Sequence, residues 1–211
     1  MGIFAYKVAN SGFQCKCAVQ EREELSGTDH TTTLRLLLRQ ETAKHHAALD
    51  ATTDADELTD AESYARFLTR QYCARLPIEE WVARDCPSDF SPPQVALLIA
   101  ADLSAMGRSV PAPSLRFELP KSSDPIGLAW AIAGSHLGNR MMLKTLKDAS
   151  SGLPDSFLAD ETMRQFWRSL RPQLDRPMSK VHAQPAITAA SSVFAHFLTI
   201  FAEQAESKAA A

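Results

Sequence analysis

Residues 130–142 read WAIAGSHLGNRMM. Gly134 and Gly138 stand four apart in a run whose other residues suit a helix. Each glycine inside a helix costs about 1 kcal/mol relative to alanine. With Gly134 at zero and the helix turning about 100° per residue, Trp130, Leu137, Gly138 and Met141 fall within about 60° of it. One stripe therefore carries an aromatic ring, two bare backbone positions and two flexible apolar side chains. His136 falls on the opposite side, and Ser135 and Asn139 lie on one flank. Two readings account for the pair. Small residues let two helices pack closely, or they make a shelf on which a planar ligand touches the backbone.

A second segment bears on that choice. Residues 41–50 read ETAKHHAALD, at the end of a longer pattern, TTTLRLLLRQETAKHHAALD. The threonines suit a helix cap, and Leu34, Leu38, Thr42, His45 and Leu49 recur at helical spacing. Helical phase puts His45 on the apolar face and His46 at its edge. A histidine there is an ordinary core or surface residue, or a ligand of haem iron through a neutral imidazole nitrogen.

The rest of the chain reads as helices. Residues 60–84 suit a second helix capped by Asp60, with Pro77 kinking or breaking it. Residues 86–93 are a loop by composition. Residues 94–107 suit a third helix ending at Gly107. Residues 108–125 are a proline-rich connection. The glycine helix follows to about residue 149. Residues 153–177 hold another helix or two, and 184–207 the last. No segment alternates cleanly over strand length. The expected fold is all-α, a bundle of roughly six to eight helices. Residues 1–30 read as a poorly ordered tail, and 31–207 as one helical domain.

Bulk properties narrow the function. The chain has 211 residues, 45% hydrophobic and 22% charged, with a net charge of −3. That balance gives no broad basic footprint for nucleic acid. No apolar run approaches the ~20 residues of a membrane span, and no secretory leader is evident. The expectation is a soluble cytoplasmic protein. Cys15, Cys17, Cys73 and Cys86 read as reduced thiols, since a single C-x-C pair lacks the partner of a zinc ribbon. No nucleophile elbow, Walker A loop, dinucleotide fingerprint or H-E-x-x-H motif is present. Glu41 and His45 do not repeat as a di-iron bundle requires.

Taken together, LRQETAKHHAALD (38–50) and GSHLGNR (134–140) resemble the haem oxygenases, in particular the soluble bacterial biliverdin-producing type. The first looks like that family's L-R-x-x-T-x-x-x-H-x-x-L-D helix, the second like its G-S-x-L-G-G-R distal helix. Weaker likeness lies in SYARFL (63–68), FWRSLRPQLD (166–175) and the aromatic VFAHFLTIFAE. The resemblance spans roughly residues 31–205, and it implies a haem-oxygenase-like bundle with haem between the first helix and the distal glycine helix. It places the iron ligand at His46, which Leu49 and Asp50 follow in register; phase alone favours His45. It places Arg39 near a haem propionate, a suitable partner for a guanidinium. Trp130, Gly134, Gly138 and Asn139 would line the distal side, with Ser135 or Asn139 orienting water there. Three positions depart from the pattern: Trp130 for tyrosine, Ala133 for glutamate and Asn139 for the second glycine.

The implied reaction opens haem, both substrate and cofactor, to biliverdin, carbon monoxide and ferrous iron. It uses dioxygen and electrons from an external ferredoxin- or reductase-type donor. The alternatives are a haem-binding sensor or carrier without turnover on the same fold, and a haem-free all-α interaction protein.

Overall fold

The computed structural model describes residues 32–52, 60–149 and 152–209. Residues 1–30, with Cys15 and Cys17, lie outside these. Among the described residues the chain forms nine α-helices and one 3-10 turn, and no named strand. The helices are α1 Leu34–Glu41, α2 Ala43–Thr52, α3 Ala61–Asp85, α4 Ala96–Ala105, α5 Pro125–His136, α6 Asn139–Ala149, α7 Ser156–Ala159, α8 Thr162–Leu174 and α9 Lys180–Ala209.

Several helix starts follow from their caps. Thr33 accepts from Leu36 N at 3.4 Å, Asp60 from Ser63 N at 2.8 Å, and Asp124 from Ile126 N at 3.0 Å. Each side chain satisfies an amide that the helix leaves unbonded. Pro125 follows Asp124 in the first helical turn, where its missing N–H costs nothing.

Three expectations need correction. The histidine segment is not one helix: Thr42 separates α1 from α2, with φ −97° and ψ 3°. Its hydroxyl donates back to Leu38 O at 2.8 Å, a bond that competes with regular helix. Arg39 and His46 therefore belong to different helices. The glycine helix is likewise interrupted, at Leu137 and Gly138, between α5 and α6. Pro77, by contrast, does not break α3, which runs straight through it in sequence. Cys73, Ala74, Ile78, Trp81 and Val82 on either side of it are buried. Tertiary packing of this kind outweighs a local penalty. His196 of α9 also bonds Ala74 O, in the turn before Pro77, at 3.1 Å.

The central element is α9, which packs against α1, α2, α3 and α5. Over Lys180–Gln204 it is long and apolar enough to match a membrane span by length and composition, but half of its most apolar stretch is buried in the core. The backbones of α5 and α9 approach closely. A Cβ built on Gly127 would stand 1.9 Å from Ala186 O. One turn before it, Asp124 N donates to Pro185 O at 3.1 Å. The entry to α1 is tied to the segment between α8 and α9 by Leu34 N to Arg176 O at 3.0 Å and Met178 N to Thr32 O at 2.9 Å. Arg35 Nε donates to Asp175 Oδ1 at 2.8 Å beside that pairing.

Candidate haem site

The two segments singled out in the sequence meet through one aromatic ring of α9. His45 stacks on Phe194, with centroids 6.2 Å apart and ring planes 14° apart. His46 lies against the same ring at 5.7 Å, tilted by 51°. Trp130 of α5 also reaches it, at 6.4 Å and tilted by 58°. Trp130 and Phe194 are both buried. Histidine wall and distal helix are thus held in one cluster by a residue that the sequence reading included only as part of an aromatic helix.

The two histidines differ in their polar contacts. His46 Nδ1 faces Asp50 Oδ2 at 3.6 Å, one helical turn on. That separation is longer than a hydrogen bond, so the carboxylate stands beside the ring at Nδ1 and this contact does not by itself fix the tautomer. His45 Nδ1 is buried with no hydrogen-bond partner among the described residues.

On the facing helix the glycines separate into two kinds. Gly127 is the one that helix packing requires, and the sequence reading passed over it. Gly134 has no backbone against it: an added Cβ would meet only Trp167 Cζ3, at 3.7 Å. Tight helix-on-helix packing therefore does not account for Gly134. Trp167, on α8 within the FWRSLRPQLD stretch, is the neighbour of that position.

The flanking polar residues are already engaged. Ser135 Oγ donates to Ile132 O at 2.8 Å and accepts from Arg75 Nη2 at 3.0 Å. Asn139 is buried at the start of α6. Its amide nitrogen donates to Phe157 O at 3.3 Å and to His136 Nδ1 at 3.1 Å. Asn139 thus ties the interrupted distal helix to α7. His136 is buried on the far side from the glycine stripe, as its phase predicts, with Nε2 3.3 Å from Asp160 O. Burial, and then the field of Arg75, push its pKa down to about 4, so the ring is neutral. Arg39 is exposed in the last turn of α1.

No protein-family model matches the chain. A curated haem oxygenase from Xanthomonas campestris pv. campestris is 29% identical over 157 residues, covering 69% of this chain and 93% of the relative. The haem oxygenase of Neisseria meningitidis, solved in its NO- and CO-bound forms, superposes with a TM-score of 0.63 at 18% identity. That match covers 82% of this chain and 92% of the other. The chain has the haem oxygenase fold. The haem oxygenase of Leptospira interrogans agrees, with a TM-score of 0.58 at 19% identity over 82% of this chain and all of the other. The resemblance carried by the two motifs thus extends over most of the chain.

Proposed function

We propose that this chain is a haem-degrading monooxygenase that opens haem to biliverdin, carbon monoxide and ferrous iron. The observation that carries the reading is the convergence of His46 and Trp130 on Phe194, with the open Gly134 position one turn along α5 from Trp130, within the haem oxygenase fold. The residues present suit a planar iron porphyrin. One imidazole suffices for an iron already held by four pyrrole nitrogens, and the open Cβ position at Gly134 admits a flat ring against helix backbone.

Haem is the substrate, and its iron supplies the oxygen chemistry when bound. The protein's part is binding, orientation and electrostatics. His46 is the iron ligand through Nε2, with the Asp50 carboxylate beside the opposite nitrogen. Gly134 and Gly138 let the distal backbone approach the ring. Trp130 and Phe194 give the site apolar walls that exclude bulk water. The exposed Arg39 guanidinium pairs with a propionate. Asn139 serves the α5–α6 junction rather than the ring. Dioxygen and electrons come from outside, the latter from a ferredoxin- or reductase-type donor in the cytoplasm. Residues 1–30 stay outside this assignment.

The test is an absorbance titration with haemin, then addition of a reductant in air. A Soret band that saturates at one haem per chain and then gives way to biliverdin absorbance is expected. A saturating band that survives the reductant overturns turnover and leaves a sensor or carrier. No saturable band overturns haem binding. His46→Ala should abolish the histidine-ligated spectrum and His45→Ala should weaken it less. The reverse order would move the ligand to His45.

A further inference from the structure

Arg75 of α3 is 2% exposed, a cation in the core. Helical phase could have flagged it, since it lies seven residues from Leu68 and shares that residue's apolar face. Its guanidinium sits over Phe157 at 5.3 Å and over Phe197 at 5.9 Å. Nε donates to Gln71 Oε1 at 3.1 Å and Nη2 to Ser135 Oγ at 3.0 Å. Nη1 is buried with no hydrogen-bond partner among the described residues. No ion pair to Arg75 occurs among the described residues either. Glu79, whose charge reaches it, is committed to the start of α4, where it accepts from Val95 N at 2.8 Å and Ala96 N at 3.0 Å.

The position of this charge is informative. Ser135 directly follows Gly134. Phe197 lies one turn beyond Phe194, on which both histidines rest. Burial pushes the Arg75 pKa down to about 10, still well above neutrality, so the charge persists. A buried cation without a counterion is costly, and a donor on it without an acceptor adds to that cost.

We propose that Arg75 is an anion-binding residue of the distal side, whose Nη1–H donates to a small anionic ligand lodged beside Gly134. Ser135 and Gln71 fix the guanidinium by its other two edges. This rests on the haem reading and adds to it a preference of the site for negatively charged over neutral distal ligands. The two aromatic rings exclude water and strengthen the attraction.

The probe is azide, titrated by its Soret shift into the ferric haem-loaded full chain, with carbon monoxide on the reduced protein as a neutral control. Arg75→Met should weaken azide about tenfold or more, the usual effect of losing a charge-assisted bond. Haemin and carbon monoxide affinities should stay within about threefold. The polar variant Arg75→Gln should behave alike and stands in if the methionine variant does not fold. Unchanged azide affinity in the variants overturns the proposal. So does an equal loss for azide and carbon monoxide, which would mean a distorted pocket. If the wild-type chain gives no saturable Soret band, the haem reading fails on its own. The anion site is then read from the apoprotein: azide should raise its melting temperature but not that of Arg75→Gln, and equal shifts overturn it.

Discussion

A methyl group added at Gly134 would meet a single ring carbon of Trp167 at 3.7 Å, an ordinary contact. Added at Gly127, two turns earlier on the same helix, it would stand 1.9 Å from the carbonyl oxygen of Ala186. The two substitutions should therefore part company. Gly134→Ala should leave the apoprotein as stable as before or up to about 1 kcal/mol more stable, because alanine is the better helix former. Its effect should fall on the haem complex, as a shifted Soret band and slower turnover. An unaltered haem spectrum and rate would remove Gly134 from the site. Gly127→Ala should cost at least about 2 kcal/mol in urea unfolding, since backbone on both sides must move. A neutral result there would mean that α5 and α9 slide apart easily. Nothing in the sequence ranks these two glycines. Phase assigns a glycine to a face, but only the neighbouring helix decides whether backbone or open space lies beyond it.

At the scale of elements, the helical nature of nearly every segment was legible, while the interruptions were not. Thr42 and the Leu137–Gly138 pair each divide a helix whose hydrophobic period runs on without a break. Period alone does not register a side chain that bonds back to its own turn. Pro77 misled in the other direction, because the burial that holds α3 together comes from elements distant in sequence. The short α7 and α8 together fill the stretch where one helix or two is expected. Asp102, itself 1% exposed, accepts from Ser156 N at 3.0 Å and Phe157 N at 2.9 Å and so anchors the start of α7. Phe157 in turn carries the Arg75 guanidinium on its face and the His136 ring at its edge, 5.5 Å away. Asp102→Ala should strand both amides, cost at least about 2 kcal/mol, and loosen the far side of the candidate site. Unfolding midpoint and near-ultraviolet dichroism report the two effects. A stable protein with unchanged dichroism would show that α7 is held by packing alone.

For the whole molecule, acid is the informative stress. His136 ordinarily titrates near 6.5 and is pushed down to about 4 in the fold, first by burial and then by Arg75. The unfolded chain takes up that proton below about pH 6.5, and the folded chain resists it until about pH 4. Stability should thus be full above pH 6.5 and fall as pH drops towards 4, by up to about 3 kcal/mol from this group. His196, also pushed down by burial, acts in the same direction. Urea unfolding between pH 7 and 4.5 measures the slope. A flat profile would show that His136 is hydrated in the folded state. Both histidines are visible in the sequence; their burial depends on α3, α7 and the connection carrying Phe117 closing over them. The same dependence on remote helices governs the haem walls. About 150 positions of chain separate His46 from Phe194, and such long-range closures are slow steps of folding. In refolding, the far-ultraviolet helical signal should therefore return first. The ability to capture haemin should return only when α9 docks, so that haem serves as a clock for the last event in building the protein.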